Sequence, residues 1–105
     1  MEKIHEPVLM KEVLEILDLR EGDFLVDGTY GFGGHSSEIL KKIGAKGRLI
    51  AIEKDPEVFQ KNLEKLNDKR VIKFNDDFAN IHEIVNESKL SRVDKILLDL
   101  GVSSY

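Results

Sequence analysis

Apolar and polar residues alternate in blocks along this chain, and the period within each block shows what the block forms. After Pro7, Val8, Leu9, Val13, Leu14, Ile16 and Leu17 recur near helical spacing, so a helix is expected to about Leu17. Pro7 suits its first turn, where the missing N–H costs nothing. Asp18 to Asp23 is a charged turn containing Gly22, and Phe24 to Val26 is a short apolar strand. A helix from Ser36 or Ser37 to Ile43 carries Ile39, Leu40 and Ile43 on one face, with Gly44 as its C-cap. Leu49, Ile50, Ala51 and Ile52 form the continuous apolar run of a buried parallel strand over Arg48 to Glu53. Asp55-Pro56-Glu57 opens a further helix, with Asp as N-cap, Pro at the first position and an apolar stripe of Val58, Leu63 and Leu66. Val71 to Phe74 is the third strand, with a polar exit at Asn75-Asp76-Asp77. Phe78 to Val85 is a helix carrying Ile81, Ile84 and Val85, and Val93 to Leu98 is the fourth strand, ending at Asp99.

Short apolar strands separated by helices predict an α/β fold with a mostly parallel sheet and right-handed crossovers. The expected strand order is 3-2-1-4, with the topological switch between strands one and four. Asp27 and Asp99, at the ends of those strands, then sit beside the crevice where such sheets bind ligands.

Composition narrows the chemistry. With 105 residues the chain makes one domain with a modest core, and its formal net charge of -4 gives no general pull toward nucleic acid. A local basic surface depends on where the charges fall, and the lysines from Lys41 to Lys73 read as solvated faces. There is no cysteine, hence no disulfide, thiolate nucleophile or thiolate metal site. The amino terminus is charged and lacks the apolar core of a signal peptide, and no apolar run approaches the length of a membrane span. These features fit a cytoplasmic protein without membrane partners. The three histidines lie on different elements, so no metal site is expected.

The densest chemical signal is Val26-Asp27-Gly28-Thr29-Tyr30-Gly31-Phe32-Gly33-Gly34-His35-Ser36. Glycines between a strand and a helix let the backbone approach a ligand and leave N–H groups for it. The spacing is not Gly-x-Gly-x-x-Gly, which disfavours a dinucleotide, and no Lys-Ser/Thr pair follows, which disfavours an ATPase phosphate loop. Asp27 is placed to order that loop or accept from an ammonium group. Glu53, about twenty residues past the loop, is placed to accept from ribose hydroxyls. Phe78 can stack on a base or pack as an ordinary helix residue, and Asp77 can reach a base edge. His35 lines the pocket at the helix start. Gly101, Ser103 and Ser104 form a turn with either an anion-holding or a purely structural role. No residue is assigned as a catalyst on sequence alone. An NAD- or nucleotide-binding enzyme on the same sheet and a non-catalytic binding domain both stay open at this point.

At these residues a family resemblance becomes specific. His5-Glu6-Pro7-Val8-Leu9 with Glu12-Val13-Leu14, the glycine loop, Ala51-Ile52-Glu53-Lys54-Asp55-Pro56 and Asp99-Leu100-Gly101-Val102-Ser103-Ser104 together resemble the bacterial 16S ribosomal RNA (cytosine-1402-N4)-methyltransferases, the MraW family. The resemblance spans essentially the whole chain in the right order. It implies a Rossmann-like class I fold binding S-adenosylmethionine, methyl transfer to N4 of a cytidine, and the small ribosomal subunit as partner. Carried over by position, Gly33, Gly34, His35, Glu53, Phe78 and Asp99 contact the cofactor, with Asp27, Gly28, Gly31 and Asp77 as further candidates. The family commonly has Asp where this chain has Glu53, and Asn where it has Asp77. Members are longer: they complete the sheet with further strands and insert a helical RNA-binding domain. The resemblance therefore casts residues 1–105 as an amino-terminal part of the methyltransferase domain, inactive by itself, with an exposed sheet edge that invites self-association.

Overall fold

The computed structural model describes residues 12, 14–28, 36–63 and 66–97. A first helix, α1, includes residues 14–17 and stops at Asp18, whose φ of 51° takes it out of the helix. Then follow β1 (Phe24–Asp27), α2 (Ser36–Ile43), β2 (Arg48–Glu53), α3 (Pro56–Leu63), β3 (Val71–Asn75), α4 (Ile81–Ser88) and β4 (Lys95–Leu97). The four strands form one parallel sheet in the order β3-β2-β1-β4, as the sequence predicts. Val26 is level with Ile50 on one side and Ile96 on the other, so β1 lies inside the sheet and every β1 residue after Phe24 is buried.

Side chains of successive strand residues point to opposite faces, which splits the apolar residues into two layers. Leu25, Leu49, Ala51, Val71 and Leu97 pack against Ile39, Leu40 and Ile43 of α2 and Leu14 of α1. Val26, Ile50 and Ile52 pack against Ile84 of α4 on the other face. Full burial of a Leu or Ile is worth about 1.5–3 kcal/mol, so these two layers are the main favourable term for the fold. Ile96 shares the α4 face but remains 48% exposed at the β4 edge. Among the described residues no helix is long and apolar enough to cross a membrane.

Several boundaries depart from expectation. Strands β1 and β3 each run one residue further, to Asp27 and Asn75. Phe59, outside the expected stripe of α3, packs against the first apolar layer together with Leu66. The helix expected over Phe78 to Val85 is a 3-10 turn at Phe78–Asn80 followed by α4, which extends to Ser88. Local side-chain bonds explain that start: Asp77 Oδ1 accepts from the Ala79 N–H at 2.9 Å, and Asp76 Oδ1 from Asn80 Nδ2 at 2.8 Å. Described β4 begins at Lys95, although Asp94 already bonds to β1: its N–H donates to the Phe24 carbonyl and its Oδ2 accepts from the Phe24 N–H, both at 2.8 Å.

The amino edge of the sheet is tied by long-range polar contacts. Arg70 Nη1 donates to the carbonyls of Leu40 and Gly44, both at 2.8 Å, and so caps the carboxyl end of α2 from β3's doorstep. Asp68 holds that guanidinium through two side-chain bonds, at 2.9 and 2.7 Å. Lys95 Nζ donates to the carbonyls of Leu17 and Asp18, both at 2.9 Å, closing the end of α1. Arg92 joins Asp94 to the Gly22 carbonyl and lies 4.1 Å over the Phe24 ring. Gly47 permits the tight entry into β2: a Cβ there would lie 2.5 Å from that of Ile43.

Candidate functional site

In a parallel α/β sheet the helices run antiparallel to the strands, so helix amino termini and strand carboxyl ends share one edge. That edge carries unpaired helix N–H groups and a partial positive potential, which suits carboxylates and electron-rich ligands. The carboxyl edge here is lined by acids on three consecutive strands.

Asp27 ends β1, wholly buried, level with Ala51 of β2 and Leu97 of β4. The next residue, Gly28, donates its N–H to the Leu97 carbonyl at 2.7 Å, so the β1–β4 pairing persists one step past the strand. Glu53 ends β2, two residues beyond the level of Asp27 and paired with Asn75. Alternation puts Asp27 and Glu53 on the same face as Leu25 and Ala51, which is the face of α2 and α3. Glu53 Oε2 accepts from the Asp55 N–H at 2.9 Å, which turns the half-buried carboxylate over the start of α3. Asp55 is the helix cap, its Oδ1 accepting from the N–H groups of Glu57 and Val58 at 2.8 and 3.3 Å.

The exit of β3 folds back onto Glu53. Asn75 Nδ2 donates to the carbonyls of Glu53 and Lys54 at 2.8 and 3.1 Å, and the Asp76 N–H donates to the Glu53 carbonyl at 3.1 Å. The amide of Asn80 beside Asp76, helped by the Asp77 N–H, holds the Asp76 carboxyl below the usual carboxylate range. Asp76, at the strand exit beside Asp77, thus spends its carboxylate on ordering the loop. The Asn-Asp-Asp run after a strand was its visible signal.

Asp77, read as a base-edge contact, uses one oxygen as the cap of the 3-10 turn, while the other lies 4.0 Å from Lys54 Nζ. Phe78 is half-buried and packs against the layer of Val26, Ile50, Ile52 and Ile84, the ordinary packing role weighed against base stacking. Its remaining exposed surface lies at the carboxyl edge. The structure therefore brings Asp27, Gly28, Glu53, Asp77 and Phe78 to one end of the sheet. Gly31, Gly33, Gly34, His35 and Asp99, with Gly101, Ser103 and Ser104, lie outside the described residues. Among the described residues, no group of His, Asp and Glu is placed to hold a metal ion.

Comparison with known proteins gives this edge a context. Residues 2–105 match the family described as the MraW methylase family. The chain is 45% identical over its full length to the ribosomal RNA small subunit methyltransferase H of Dictyoglomus turgidum, covering 36% of that protein. It is 44% identical to the protein of the same name from Clostridium botulinum strain Okra, covering 34% of it. The chain thus spans about a third of the length of the curated relatives it matches. Among solved structures, a protein-L-isoaspartate O-methyltransferase superposes with a TM-score of 0.72 over 91% of this chain and 30% of its own, at 24% identity, a likeness of fold. An rRNA methylase structure titled putative, from Clostridium thermocellum, superposes with a TM-score of 0.61 at 25% identity, over 71% of this chain and 43% of its own.

Proposed function

The chain belongs to the MraW methylase family, and from that premise we propose that it contributes the cofactor-holding part of a methyltransferase acting on N4 of a cytidine in 16S ribosomal RNA. The observation carrying this reading is the family match over residues 2–105, joined to 45% identity with a relative named as a small-subunit rRNA methyltransferase. We assign residues 1–105 to the amino-terminal half of the methyltransferase domain, working in the cytoplasm on the small ribosomal subunit.

The carboxyl edge fits S-adenosylmethionine by the chemistry of its donors and acceptors. A ribose offers hydroxyl donors, and Glu53 presents a carboxylate already oriented by the Asp55 N–H, with its second oxygen available as an acceptor. Phe78 offers an apolar wall for an adenine, and Asp27 anchors the start of the loop that carries Gly31, Gly33, Gly34 and His35. Asp99, the acid after β4, completes the set as an acceptor for the amino-acid moiety. The cofactor, when bound, supplies a methyl group on a sulfonium centre.

The exocyclic amine of cytosine is a weak nucleophile because its lone pair is delocalised into the ring. Rate enhancement then rests on in-line positioning and on an acceptor that polarises or takes up the amine proton. The base must also leave its stack or already lie exposed.

Two measurements test the reading. Calorimetric titration of the chain with S-adenosylhomocysteine and, separately, with NAD should show heat only for the first. Deleting the gene should remove N4-methylcytidine from small-subunit rRNA, as read by nucleoside mass spectrometry; an unchanged mark would sink the assignment.

A further inference from the structure

A second surface lies away from the carboxyl edge. Between α2 and the segment leading into β3 runs a cleft of about 1030 Å³. It is lined by Lys41, Arg48, Lys69 and Arg70 with Asp68, Leu40 and Leu66, while Glu38 beside Lys41 and Glu21 beside Gly44 border it. The lining residues come from two separate stretches, 37–48 and 66–70, so no basic run announces the surface. In a chain whose formal net charge is -4, this cleft has the opposite sign.

Two of the cations are structurally committed: Arg70 to Asp68 and the end of α2, and Arg48 to the carbonyls of Ala45 and Gly47 at 3.3 and 2.7 Å. They stay charged while being held in place, which makes them fixed sources of positive potential. Lys69 is exposed, and Lys41 pairs with Glu38 at 3.8 Å, both side chains mostly in water, a contact worth little.

We propose that this cleft is a docking surface for the sugar-phosphate backbone of single-stranded ribosomal RNA flanking the target. The inference rests on the rRNA reading above and assigns a part of the chain that reading leaves unused. Charge complementarity carries it: fixed guanidinium groups and mobile lysines over an apolar floor form a groove that can follow a phosphate chain. Among the described residues no aromatic side chain lines the cleft, so the contacts are to phosphate and carry no sequence preference. The cleft opens toward the amino edge, away from Glu53 and Asp27. It would anchor flanking RNA and leave the target base to the carboxyl edge.

The test is fluorescence anisotropy of a labelled oligouridylate titrated with the 105-residue chain across a salt series, without cofactor. The double variant Lys41→Gln/Lys69→Gln should bind several-fold more weakly, and its slope of log affinity against log salt should flatten by roughly 0.7 per lost phosphate contact. The double variant Lys61→Gln/Lys89→Gln makes the same charge change at residues that do not line the cleft and should bind like the parent. Equal loss in both variants, no salt-dependent binding at all, or equally tight binding of polyglutamate would each overturn the assignment. Circular dichroism melting of both variants separates loss of contact from loss of fold. Unaltered S-adenosylhomocysteine binding and dependence of the rRNA mark on the gene, with an insensitive slope, would reject the cleft and keep the proposed function. An rRNA mark independent of the gene would reject the function, whatever the slope.

Discussion

The two edges of this sheet solve opposite problems with opposite charges. At the amino edge, helix carboxyl ends expose carbonyls, and cations close them: Arg70 on α2 and Lys95 on α1. At the carboxyl edge, helix amino ends expose N–H groups, and carboxylates close them: Asp55 on α3 and Asp77 on the turn before α4. Both patterns follow from helix polarity. The difference lies in reach. Arg70 and Lys95 act across 26 to 78 residues of sequence and bind separate elements together. The acids mostly act on residues two or three positions away, so they shape loops. Long-range ties gather at one edge and locally bonded carboxylates at the other.

Substitutions can break that contrast. Gly47→Ala should have the largest effect on folding, about 2–3 kcal/mol, because the new Cβ would overlap Ile43 in a buried turn. Urea titration would measure it, and a loss below 0.5 kcal/mol would mean that the turn yields easily. Arg70→Ala should cost about 2 kcal/mol through the α2 carbonyls and the abandoned Asp68. Glu53→Gln should invert the pattern: S-adenosylhomocysteine affinity should fall roughly tenfold, about 1.4 kcal/mol, while the melting temperature barely moves. If melting drops and affinity holds, Glu53 belongs with the structural set.

Acid should act most strongly through Asp68. The side-chain and then the backbone donors of Arg70 depress its carboxyl from 3.8 to about 2. Its contribution is therefore complete above about pH 4 and is lost as pH falls through 2, on the order of 1–2 kcal/mol for a pair in partial contact with water. Urea midpoints of the parent should decline over that window, and those of Asp68→Asn should decline less. The smallest effect is expected from Asp77→Ala, about 0.5–1 kcal/mol for a lost cap, with hydrogen exchange at the Ala79 amide rising most.

Much of this contrast was legible in the sequence, and the illegible part has a physical cause. The buried run Leu49 to Ile52, the capped start at Asp55-Pro56 and the acids at strand ends are local signals, and strand order followed from crossover handedness. The 3-10 start at Phe78 was hidden because Asp76 and Asp77 compete with the helical ladder through bonds that periodicity does not register. Arg70, Lys95 and Asp94 were invisible because their partners lie far along the chain. At the site, the strand-end rule pointed to Glu53 and Asp27, while the bonds by which Asp76 holds its loop carry no periodic signal.

The central position of β1 also bears on the order in which the molecule forms. Its neighbours are β2 and β4, and β4 begins at Lys95. During synthesis the first strand therefore emerges long before one of its two partners exists. Lys95 then ties the end of α1 in the same step that completes the β1 pairing. Such late, distant closure raises contact order and slows folding. A nascent chain shorter than this must keep the most apolar strand of the sheet half-paired, where a chaperone would find it.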